Sequence, residues 1–246
     1  MPQFAFNRMR LIVTNPAKVA LALCVLLAFC AKPAQAQLRL GLRAAPTVAF
    51  TRVKDLTRRD INDANGNPQD IAYGSKPAGL NFSGGVLIDY LFRTNYAISS
   101  GLFYTVKRAG IENRTDNSSI VWNLQQIQIP ATVKLFTNEI APDIKLYFQL
   151  GATADIIITQ KRVRYEGPGQ EPEGAPFQPV DIGLWFGTGL EYRVAESTTL
   201  FGGFSYNRGL RNLVTNFGAF DEKIGPARDR YTIRTDVVAL DLGVKF

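Results

Sequence analysis

The sequence predicts an all-β fold, an eight-stranded antiparallel transmembrane β-barrel of up-and-down topology, after a cleaved signal peptide. Three observations predict it. Eight segments beyond residue 36 alternate large apolar side chains with small or polar ones, and a period of two is a strand with two different environments. The connections between these segments alternate between long and short. The chain closes on such a strand, residues 235–246 (TDVVALDLGVKF), whose last residue is aromatic and suits a membrane interface.

In chain order, residues 1–36 read as a signal peptide and residues 37–246 as the barrel domain. Arg8, Arg10 and Lys18 form a basic n-region. Residues 19–30 (VALALCVLLAFC) are an apolar run shorter than the roughly 20 residues a spanning helix needs, and Ala34-Gln35-Ala36 fits a cleavage site. Both cysteines, Cys24 and Cys30, fall in this segment, so the remaining chain has no disulfide and no thiol nucleophile. Phe29 before Cys30 argues against a lipoprotein, which needs a small residue there. The formal charge of +7 also misleads, because four of the 28 basic residues and none of the 21 acidic ones are in the signal. The small excess left is no argument for a nucleic-acid partner.

The eight strands are expected near 38–53, 79–92, 96–111, 120–136, 144–164, 181–194, 198–213 and 231–246. Long connections at 54–78, 112–119, 165–180 and 214–230 are polar and rich in turn residues. Short ones are Arg93-Thr94-Asn95, 137–143 and Ala195-Glu196-Ser197. Outer-membrane barrels sort their loops this way, with short periplasmic turns and long outer loops. The strand faces sort as well. In the second strand Leu80, Phe82, Val86, Ile88, Tyr90 and Phe92 oppose Asn81, Ser83, Gly85 and Asp89. In the third, Tyr96, Ile98, Leu102, Tyr104 and Val106 oppose Ser99, Gly101, Thr105 and Lys107. In the sixth, Ile182, Leu184, Phe186, Leu190 and Tyr192 oppose Gly183, Trp185, Gly187, Glu191 and Arg193. Apolar faces outward and charges inward is the reverse of a water-soluble barrel. Tyr90, Phe92, Tyr96, Phe136, Tyr192 and Phe246 at the short-turn ends read as a periplasmic aromatic girdle.

The predicted inward charges are Arg39, Arg43, Asp89, Lys107, Lys134, Lys145, Asp155, Glu191, Arg193, Asp241 and Lys245, with Phe103, Tyr147 and Trp185 among them. Charges this deep must be paired or wet. The preferred cluster sets Asp89 and Glu191 against Arg43, Lys134 and Arg193. It reads as a side-chain plug, in a lumen that eight strands leave just wide enough for side chains to fill. A narrow solute channel is the alternative, and a soluble lipocalin-like carrier a third.

Catalytic signals are sparse. The chain has no histidine, which excludes a Ser-His-Asp triad, and only carboxylates remain as metal ligands. No catalytic, cofactor-binding or metal-binding residue is expected. Asp221-Glu222 and Asp229 near the outer rim read as solvated loop charges. The run Asp63-Ala64-Asn65-Gly66-Asn67 lacks the first and twelfth ligands of a calcium loop and reads as a turn. Gly187-Thr188-Gly189 lies inside a strand, where small lumen-facing residues relieve crowding rather than bind nucleotide.

Several motifs resemble the PorT-like outer-membrane β-barrel family. They are LQQIQIPATVKLF from Leu124 to Phe136, the Gly151-Ala152 step, Asp181-Ile182-Gly183-Leu184 through Gly187-Thr188-Gly189-Leu190-Glu191, and Tyr206-Asn207-Arg208-Gly209-Leu210-Arg211-Asn212-Leu213. The resemblance covers the whole barrel segment. It implies an eight-stranded barrel of OmpA/OmpX-like architecture in the gram-negative outer membrane. Its partners would be outer-membrane lipid, the barrel assembly machinery reading the terminal Phe246, and another envelope or secretion protein. Loops 54–78 and 214–230 are the expected partner-facing segments.

Overall fold

The structure is a computed structural model that describes residues 37–53, 56–62, 68–76, 79–114, 117–167, 177–213 and 232–246. The expected signal, residues 1–36, lies outside the described residues, as do Asp63 to Asn67, Asp221-Glu222, Asp229 and the whole of 214–230.

Ten strands run in chain order: β1 (Gln37–Val53), β2 (Leu56–Asn62), β3 (Pro68–Lys76), β4 (Leu80–Arg93), β5 (Tyr96–Asn113), β6 (Ser118–Ala141), β7 (Ile144–Glu166), β8 (Val180–Arg193), β9 (Thr199–Gly209) and β10 (Ile233–Lys245). Eight of them close the barrel in the order β1, β4, β5, β6, β7, β8, β9, β10, every neighbour antiparallel. The ladder between first and last strand, with Leu42 opposite Val244 and Val48 opposite Val238, leaves no open edge around the wall. The expected eight-stranded antiparallel barrel is therefore the observed fold.

Two expectations about its margins are corrected. The connection 54–78 contains the β2–β3 hairpin, and β3 pairs with the top of β5 from Tyr73 opposite Asn113 to Lys76 opposite Gly110. This hairpin prolongs β1 and β4 beyond the barrel wall. Gly79, at φ 84, makes the break between β3 and β4 in a region that favours glycine. The strands β6 and β7 are also longer than expected, at 24 and 23 residues. Their inner turn is only Pro142-Asp143, not 137–143. Pro142 pre-sets its own φ, and Asp143 at φ 60 is of a residue type that tolerates the left-handed region.

The outer wall is apolar. Leu38, Leu40, Leu42, Val48 and Phe50 on β1, and Val238, Leu240 and Leu242 on β10, are exposed, with Phe246 just beyond. A surface of this extent fits a hydrocarbon solvent. From Phe246 up β10 to Asp236, the first outward charge, is a rise of about 25 Å at about 3.3 Å per residue and a tilt of about 40°. That matches the usual height of an apolar band. At the short-turn end Phe92, Tyr96, Tyr192 and Phe246 are exposed, and the Phe92 and Tyr96 rings lie 6.1 Å apart. Phe136 is the exception among the expected girdle residues. It points inward and packs against Ala97 and Tyr147, because it shares the inward parity of Lys134.

Candidate functional site

The interior is built in layers, each from inward positions of several strands. The innermost deep layer draws one charge from each of four alternate strands: Asp89 on β4, Lys134 on β6, Glu191 on β8 and Lys245 on β10. Lys245 Nζ donates to both Asp89 and Glu191. Lys134 Nζ donates to Asp89 at 3.2 Å and stands 3.6 Å from Glu191. Ser99 Oγ donates to the other Asp89 oxygen. Two cations meet two anions, and all four residues are buried. Aromatic rings wall the layer, with Lys134 Nζ 4.8 Å from the Tyr147 centroid and Lys245 Nζ 5.2 Å from that of Phe201.

Above it Arg43 on β1 donates through Nε to Asp241 on β10 at 2.8 Å, and through Nη1 to Ser83 at 3.2 Å. Its guanidinium lies between Phe103 and Trp185, at 4.7 and 5.0 Å from their centroids. The third charged layer is Lys107 on β5, 2.6 Å from Asp155 and 3.7 Å from Asp181. Gln126 and Gln128 on β6 donate to the two oxygens of Asp155 at 2.7 and 3.0 Å. Higher still the lumen turns apolar. Trp122, Leu124, Ile157, Leu213 and Ile233 form a buried core with Phe177, whose ring meets Trp122 edge-on at 5.5 Å.

Of the expected cluster, the structure brings together Asp89, Lys134 and Glu191. Arg43 does not join them; it belongs to the layer above, with Asp241. Arg193 lies at the exposed inner rim, paired with Asp143 at 2.9 Å and Glu139 at 3.1 Å. Lys245 takes the place assigned to them. Parity in the sequence decides only whether a residue faces inward. Its height depends on how neighbouring strands stagger, and Arg43, opposite Gly243 on β10, is lifted beside Asp241.

The layers leave little space. A void beside Arg43, Thr105, Gln128 and Trp185 measures about 10 Å³, room for one water. A shallow basin of about 50 Å³ opens at the inner rim among Arg39, Lys145, Glu191 and Arg193. Gly189 and Gly203 are needed where they are, since a Cβ on either would come 2.7 Å from Tyr147 Oη. The Gly187-Thr188-Gly189 step thus accommodates lumen aromatics. Among the described residues no group of three potential ligands could hold a metal ion.

Residues 33–215 match the family described as outer membrane protein beta-barrel domain. No curated protein sequence matches the chain. Among solved structures, OprG from Pseudomonas aeruginosa is similar at 13% identity and a TM-score of 0.49, covering 85% of this chain and 95% of that one. Neisserial surface protein A is similar at 16% identity and 0.41, covering 84% and 95%. Ail of Yersinia pestis, in complex with the heparin analogue sucrose octasulfate, is similar at 14% identity and 0.36, covering 85% and 99%.

Proposed function

We propose, of a chain that belongs to the outer membrane protein β-barrel domain family and resides in the gram-negative outer membrane, that it is a non-enzymatic envelope component whose lumen its own side chains close. The observation that supports this most is the layer of Asp89, Lys134, Glu191 and Lys245, two cations against two anions drawn from four strands. A permeating solute would have to break ion pairs that have already lost their water, at a cost of several kcal/mol. The Arg43–Asp241 pair and the apolar outer core stand in the same path. The test is conductance of the purified protein in a planar lipid bilayer. Silence is expected; discrete unitary currents would replace this reading with the narrow channel.

With the lumen closed, work falls to the rim and the outer segments, 54–78 and 214–230, which are offered to another envelope protein. A link to protein secretion rests on the PorT-like resemblance alone. Crosslinking in intact envelopes, followed by capture of the barrel, tests for that partner. Residues 1–36 are proposed as the cleaved signal, so the mature N-terminus should begin at Gln37. Phe246 is proposed as the mark read by the assembly machinery. Its deletion should lower the amount inserted in cells more than it lowers the unfolding free energy of protein refolded in vitro.

A further inference from the structure

We propose that an outward arginine cluster on β1, β9 and β10 holds a phosphate of an outer-leaflet lipid headgroup. Arg52 stands directly opposite Arg234 in the β1–β10 ladder, and Asp236 opposite Arg208 in the β10–β9 ladder. All four continue the outward rows that carry Phe50, Val238 and Phe204 below them.

The one carboxylate of the group is already saturated. Asp236 accepts from Arg52 Nη2 at 2.8 Å, Tyr206 Oη at 2.8 Å and the Gly209 amide at 3.3 Å. Arg52 also donates to the Gly209 carbonyl at 2.9 Å. Arg208 and Arg234 form no ion pair among the described residues, and the buried Nε of Arg234 has no acceptor. Like charges directly opposite across a ladder repel, and with Asp236 already held by Arg52, Arg234 and Arg208 are left without a counter-ion among the described residues. The site's own charges leave an excess of positive charge, and guanidinium forks match phosphate oxygens in pairs.

The height selects the source of the phosphate. Asp236 lies about 25 Å above Phe246 along the tilted strand, at the upper edge of the apolar band, and Arg234 is one pair higher. Just below, the Tyr206 and Phe186 rings stack at 6.5 Å, with the Tyr206 hydroxyl turned up to Asp236. An aromatic at this depth with its polar end upward marks the headgroup plane. The cluster therefore faces lipid phosphates of the outer leaflet, on long-loop strand ends.

The test uses full-length mature protein in micelles doped with a phosphorylated outer-leaflet glycolipid, with the same lipid after dephosphorylation, or with inorganic phosphate alone. Retained ligand is read by native mass spectrometry. Wild type should retain the phosphorylated lipid about tenfold better than the dephosphorylated one. R208Q/R234Q should lose most of that preference while still migrating as a folded barrel on unheated gels. K161Q, on the opposite wall, controls for general charge and should keep it. Equal retention of the two lipids, or an unchanged preference in R208Q/R234Q, overturns the proposal. Inorganic phosphate displacing the lipid at equal concentration would show a free-anion site and overturn the lipid assignment. The outcome is independent of whether the lumen conducts.

Discussion

The two ends of the lumen are built on opposite chemistry. Below the upper edge of the apolar band, inward positions are charged (Asp89, Lys134, Arg43, Lys107) and outward ones are leucine, isoleucine, valine and phenylalanine. Above it, inward positions are Ile111, Trp122, Leu124 and Ile233. There the outward row across β5, β6 and β7 is Arg108, Asn123 and Lys161, one residue opposite the next. On β5 and β6 the pattern inverts without a change of parity, whereas on β7 an irregularity between Ile157 and Thr159 shifts the register by one residue and turns Lys161 outward. The solvent outside explains the inversion. Where the wall meets hydrocarbon, apolar side chains belong outside and polar ones retreat to the lumen, satisfied by one another. Where the wall meets water, the same strands fold as a soluble barrel, with an apolar core. The difference teaches that a barrel of this length is two proteins in series, joined at the headgroup plane.

Substitutions can break this comparison. The largest effects are expected inside. Lys134→Met leaves Asp89 and Glu191 with one cation and should cost about 3–5 kcal/mol, read by urea unfolding in lipid vesicles. Trp122→Ala in the outer core should cost about as much, about 3–5 kcal/mol, through a cavity instead. The two differ in rescue. Adding Glu191→Gln to Lys134→Met should restore part of the loss, whereas no charge change restores Trp122→Ala. A loss from Lys134→Met below 1 kcal/mol would mean that the inner layer is wet.

Next comes the outer wall. Leu240→Arg, within the apolar band, should cost about 2–4 kcal/mol. Arg108→Leu, outward above the band, should stay within about 0.5 kcal/mol. Equal costs at the two sites would move the membrane boundary. The smallest effect is expected at the inner rim. Arg193→Ala breaks exposed pairs with Glu139 and Asp143 and should cost at most about 1 kcal/mol, further reduced by salt.

Much of the fold was legible in the sequence, since alternation in strands such as β4, β5 and β8 reports the environment of each face, residue by residue. The β2–β3 hairpin was less legible. Its segments are short, and the turn-rich residues between them outweigh their alternation. The apolar outer core was missed for a different reason. Trp122, Leu124 and Ile233 keep the inward parity of the charged residues below, so nothing local marks the change. One signal was available: Arg108 and Asn123 are polar at outward positions of β5 and β6, and outward polarity implies an apolar inside.

The number of barrel strands, their antiparallel order, the facing of most side chains and the membrane as solvent followed from the sequence alone, because each rests on a period of two and on loop lengths, which are local. The partners inside the lumen did not. That Lys245 rather than Arg43 meets Asp89 and Glu191, and that Arg193 stays at the rim, both depend on the stagger between strands, which exists only once the barrel closes and brings residues from four separate strands to one height.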